Sequence, residues 1–119
     1  MTEAELNEVG VEVVSLLRNG DYQKIADKYS YALCFDREPS LAIKEDFEAA
    51  RDEAVGEIND SKSTVNIKYF NENDSSLVAL IECDFPLEFS TGIFVELIQN
   101  SKGSVYIEGI SSYYGGLNA

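Results

Sequence analysis

The spacing of apolar residues changes once along the chain, near residue 63. Before that point, apart from a short alternation at 31–35, apolar positions recur every three or four residues, as on one face of a helix; after it they alternate, as on a strand. Leu6, Val9, Val13, Leu16 and Leu17 make the first stripe, with Glu3, Glu8, Glu12 and Arg18 mainly on other faces, and predict a helix over about 2–19. Thr2 and Glu5 form a capping box at its start, and Asn19-Gly20 closes it, because glycine tolerates the left-handed C-terminal position. Asp21 then serves as N-cap for a shorter helix over 21–30, carried by Tyr22, Ile25, Ala26 and Tyr29. Tyr31, Leu33 and Phe35 alternate with Ala32 and Cys34, so 31–35 is either a short strand or an extension of that helix. Pro39 suits a first helical position, and Ile43, Phe47, Ala50, Ala54 and Ile58 predict a helix over 39–57.

The second half predicts strands over about 63–70, 75–85, 91–99 and 104–113, joined by the short segments NENDS, PLEFS and NSKG. Short connections between neighbours imply an antiparallel meander. Leu77, Ala79, Ile81, Cys83 and Phe85 share one face with Ile93, Val95, Leu97, Val105 and Ile107, and that face is expected to meet the helices. The other face is mixed, with Val78, Leu80, Glu82, Asp84, Phe94, Glu96, Ile98, Tyr106, Glu108 and Ile110. The expected fold is one α+β domain over 1–119, its N-terminal helices packed on one face of a curved antiparallel four-stranded meander, with 31–35 as a short extra strand.

Charge sharpens this picture. There are 22 acids against 9 bases, a net charge of −13, and both halves are acidic. Such a surface repels phosphate backbones and anionic lipid and steers a basic protein partner toward it, so neither nucleic acid nor membrane is an expected partner. The chain has no histidine, which removes the usual neutral-pH proton shuttle and the commonest metal ligand; no metal and no cofactor is expected. Acids stand in MTEAELNEV where a signal peptide needs basic residues and then an apolar run, so the expected location is the cytoplasm. Cys34 and Cys83 then read as small buried hydrophobes rather than a disulfide.

Two groups of residues are candidates for function. If Ser101-Lys102-Gly103 is a three-residue hairpin loop, Leu97 faces Ile107, Phe94 faces Ile110 and Glu96 faces Glu108. Opposed carboxylates repel unless something neutralises them. Glu82, Glu96 and Glu108, with Phe94, Ile98 and Tyr106 around them, could therefore form a docking patch for Lys or Arg, a homodimer face, or a solvated surface. No catalytic residue is assigned: paired carboxylates invite acid/base chemistry, but an open sheet face does not exclude water. The second group, Tyr29, Tyr31, Phe35, Asp36 and Arg37, lies where helix, short strand and sheet could enclose a small-ligand pocket; the plainer reading is tyrosines in the core and a local ion network.

The element order, together with the GDYQKIADKY stretch after the first helix, resembles the cone-shaped, cystatin-like α+β fold of the nuclear transport factor two superfamily. That resemblance implies either an enzyme of isomerase or dehydratase type working inside the cone, or a non-catalytic binding domain such as a small immunity protein. The enzymes would carry a pocket dyad that no residue pair here matches, whereas small size and strong acidity suit an immunity or antitoxin role against a basic protein.

Overall fold

The computed structural model describes residues 1–56, 62–71 and 76–114. Three helices, α1 (Glu3–Asn19), α2 (Tyr22–Lys28) and α3 (Pro39–Glu53), accompany five strands: β1 (Ser30–Tyr31), β2 (Thr64–Tyr69), β3 (Leu77–Pro86), β4 (Thr91–Asn100) and β5 (Val105–Tyr114). The strands form one open sheet in the order β1-β5-β4-β3-β2. β2 to β5 are antiparallel neighbours in chain order, and β1 lies parallel to β5, so the sheet is mixed and five-stranded rather than a pure four-stranded meander.

The local signals explain the helix ends. Thr2 accepts the Glu5 N–H while the Glu5 carboxylate accepts the Thr2 N–H, and Gly20 closes α1 at φ 73°. α3 begins on Pro39 but stops at Glu53, short of the expected 57, because tertiary contacts capture the next residues. The Val55 N–H bonds Thr91 Oγ1 at 2.8 Å and the Glu88 N–H bonds the Val55 carbonyl at 2.7 Å, which ties the chain to the β3–β4 turn. Ile58, expected in the same stripe, lies outside the described residues.

Of the segment expected as a strand over 31–35, only Tyr31 pairs in the sheet, together with Ser30 before it. Phe35 and Asp36 take left-handed φ values of 49° and 67°, and Arg37 gathers the Cys34 carbonyl through Nε and the Leu33 carbonyl through Nη2. A turn held by Arg37 replaces the ladder there, and Phe35 is 75% exposed.

α1 and α3 cover the sheet face of Ile81, Val95 and Ile107, as the alternation predicts, while α2 packs against both helices and β1 and adds Ile25 to the same core. Phe47 of α3 meets Phe85 of β3 edge-on, with centroids 5.6 Å apart, and both rings are fully buried. At Gly10, an added Cβ would come within 2.4 Å of Val65 Cγ1, so glycine lets α1 lie directly on β2 and β3. Among the described residues no helix is long and apolar enough to cross a membrane.

Cys83 and Cys34 are free thiols. Burial pushes the Cys83 thiol up to about 12, which disfavours the reactive thiolate. A thiol reagent is expected to titrate the half-buried Cys34 in the native protein and Cys83 only after denaturation; two rapidly reacting thiols in the native state would contradict this packing.

Candidate functional site

The sheet face that carries no helix is ordered in rows set by strand register. Lys68, Leu80, Ile98 and Tyr106 form one row, and Asn66, Glu82, Glu96 and Gly109 the next. Beyond them lie Thr64, Asp84, Phe94 and Ser111. Pro86, Gly92 and Tyr113 complete the face.

This order corrects one expected pairing. Leu97 does face Ile107, and Gly103 takes the left-handed conformation, with φ 84°, that the hairpin needs. Glu96, however, lies opposite Gly109, not Glu108, and Phe94 lies opposite Ser111, not Ile110. A bulge beside Leu97 inserts Glu108 as an extra residue, which shifts the alternation of β5 by one. Ile110 thereby turns to the helix face and packs on the core, while Tyr113 enters the open face. The carboxylate directly opposite Glu96 is Glu82, across β3 and β4.

Tyr113 is the residue the alternation missed. Its ring stacks on Phe94 with centroids 4.5 Å apart, and its hydroxyl donates to Asp84 Oδ1 at 2.7 Å. Burial first, and then the Asp84 carboxylate, push its phenol well above the usual value. Gly92 makes room for this ring, since an added Cβ would lie 2.3 Å from the Tyr113 hydroxyl. The available signal was Gly109, because a glycine inside a strand pattern marks a bulge.

The remaining patch residues sit where the alternation put them. Ile98, flanked by Leu80 and Tyr106, is only 7% exposed although it lies on the uncovered face. Lys68 Nζ is 3.2 Å from Glu82 Oε2, while Glu96 makes no ion pair among the described residues. Glu108 is exposed, and it adds to burial in raising the Tyr106 phenol.

The second group does not gather into one pocket. Tyr29 donates to Glu12 Oε1 at 3.0 Å, and burial with that carboxylate pushes its phenol up to about 12. Tyr31 is buried and donates to Asp46 Oδ2. Arg37 grips both Asp46 oxygens, at 3.0 and 3.1 Å, and stands 3.5 Å from Glu45. Phe35 and Asp36 point away on the exposed turn. Arg37 and Asp46 thus fasten the 32–37 turn to α3: Arg37 does sit in an ion network, but with Asp46 and Glu45 of the helix rather than with Asp36 and Glu38 beside it in the chain.

No three His, Cys, Asp or Glu residues among the described ones group to hold a metal ion. Comparison with family models, curated proteins and solved structures found no match, so the functional reading rests on this geometry.

Proposed function

We propose that this chain is a non-catalytic binding domain that takes a basic protein partner on its open sheet face, in the manner of an acidic immunity or antitoxin protein. The observation that carries this reading is the pair Glu82 and Glu96, opposed across two strands and set between an apolar row, Leu80, Ile98 and Tyr106, and an aromatic pair, Phe94 and Tyr113. Opposed carboxylates cost the free protein up to about 1 kcal/mol. Lys68 offsets part of that repulsion from the Glu82 side; a guanidinium or ammonium placed beside Glu96 relieves the rest. Aromatic rings beside the charge supply the kind of anchor on which interface energy concentrates, and the net charge of −13 would speed encounter with a basic surface. A homodimer through the same face is disfavoured, since it would bring two such acidic rows together.

The test is calorimetry with an arginine-rich peptide at about 50 mM and about 300 mM salt, a span over which a charge-driven contact weakens strongly. Glu82→Gln with Glu96→Gln is expected to weaken binding about tenfold. Glu3→Gln with Glu8→Gln, which removes the same charge from exposed positions on α1, should change it much less. Equal losses in the two double variants would reduce the effect to net charge and remove the case for this face.

A further inference from the structure

We propose that the bare edge of β5 between Ile110 and Tyr114 receives an extended basic segment of the partner as an added strand, with α3 forming one wall of the groove. This inference rests on the basic-partner reading above and names how such a partner engages.

Three backbone bonds determine which residues face the sheet edges: Phe70 N–H to the Val78 carbonyl, Asn100 N–H to the Ser104 carbonyl, and Ala32 N–H to the Ile107 carbonyl. Alternate residues of a strand turn their N–H and C=O to the same side. Thr64, Asn66 and Lys68 therefore bond toward β3, and Val65, Ile67 and Tyr69 face outward from β2. On β5, Ser111 and Tyr113 bond toward Phe94 and Gly92, which leaves Ile110, Ser112 and Tyr114 facing outward. β1 covers only Tyr106 and Ile107, so no described strand pairs with those three residues.

Charge decides between the two bare edges. Residues 62–71, which contain β2, hold Lys62 and Lys68 and no carboxylate, and Lys68 already occupies Glu82, so that edge offers a basic strand no carboxylate of its own. Beside β5, Asp46, Ala49, Ala50 and Glu53 succeed one another along one face of α3 and line a groove with Ile110 and Ser112. The two alanines let an extended backbone lie close. Asp46 already holds Arg37, so the charge offered from α3 is Glu53, which also accepts from the Ser112 hydroxyl. The exposed Glu108 offers charge from the opposite side of the sheet. An added strand sends alternate side chains to opposite sides, so a segment with cations at its ends and on both faces would meet both carboxylates. The five residues from Ile110 to Tyr114 give it a lane about 17 Å long. Uncovered edges of this kind are templates for strand addition.

The probe is the heptapeptide Lys-Lys-Val-Val-Val-Lys-Lys, whose paired lysines at each end fall on both faces of a strand, with a Glu/Val counterpart and an N-methylated Lys/Val version that keeps side chains and charge but lacks alternate backbone donors. Binding is read by calorimetry, and amide exchange by NMR. With the Lys/Val peptide, exchange at Ile110, Ser112 and Tyr114 should slow about tenfold or more, and N-methylation should weaken binding about tenfold through lost backbone bonds. Ser112→Pro, which removes an outward N–H that the ladder to β4 does not use, should weaken binding about tenfold relative to Ser112→Ala, which loses the same hydroxyl bond to Glu53 but keeps that N–H. If that variant does not fold, the N-methylated peptide still decides. Salt-sensitive binding without protection at these amides, or indifferent to N-methylation, would overturn strand addition and leave the basic-partner reading standing. Protection at Val65, Ile67 and Tyr69 instead would move the strand to the other edge and overturn the assignment. Equal binding of the Glu/Val peptide, or no binding by either, would bring down both.

Discussion

Replacing Phe47 with Ala is expected to destabilise the protein by about 4 kcal/mol. The ring sits mid-way along α3, is fully buried, and lies edge-on to Phe85, with Ile43 and Ala50 buried on the same helix face. Truncation removes the ring's burial, the aromatic contact and the atoms that fill the space between α3 and the sheet. A single domain of this size has about 5–15 kcal/mol in total, so the variant should remain folded only narrowly. The measurement is urea unfolding: the midpoint should fall sharply with little change in slope. Val11→Ala on exposed α1 surface should change stability by less than about 0.5 kcal/mol. A loss below about 1.5 kcal/mol for Phe47→Ala would mean that α3 is not seated on β3 through this ring. The groove beside β5 depends on this seating as well, because α3 also carries Asp46 and Glu53.

Asp46→Ala is expected to cost about 2 kcal/mol, through unmet hydrogen bonds of groups that it now satisfies. It accepts both arms of the Arg37 fork and the hydroxyl of buried Tyr31, so one truncation frees the 32–37 turn from α3. The effect also carries a pH signature. The Arg37 guanidinium, and after it the Tyr31 hydroxyl, hold the Asp46 carboxyl below its usual value against the opposing effect of burial. A carboxyl with a lowered folded pKa binds protons more readily when unfolded. Its stabilisation is therefore complete above the unfolded value of about 3.9 and is lost as pH falls through the lower folded value. The stability gap between wild type and Asp46→Ala should be full at neutral pH and close at strongly acid pH, in urea titrations across that range. A gap independent of pH would show that the carboxylate's charge contributes nothing there.

Much of the fold was legible because it depends on local or periodic features. The capping box at Thr2 and Glu5, Gly20 after α1, Pro39 at the start of α3 and Gly103 in the hairpin each act within a few residues. The core face of the sheet was legible for the same reason, since alternation from Ala79 to Phe85 and from Ile93 to Leu97 maps directly onto burial. Alternation misled at 31–35, where Leu33 and Phe35 keep the spacing of a strand but not its environment. The backbone there is held in a turn by Arg37, whose partner Asp46 lies nine residues further along the chain.

The amino-acid sequence by itself determined an acidic α+β chain, three helices followed by four consecutive strands, and which side of β3 and β4 is core. These follow from spacing and charge, which need no knowledge of distant contacts. Tertiary structure alone decided that β1 runs parallel to β5, that Glu82 rather than Glu108 opposes Glu96, and that Tyr113 joins Phe94 and Asp84 on the open face. One inserted residue at the Glu108–Gly109 bulge turns over every later side chain of β5. Where such an insertion falls is set by how two strands meet, not by the pattern along either one.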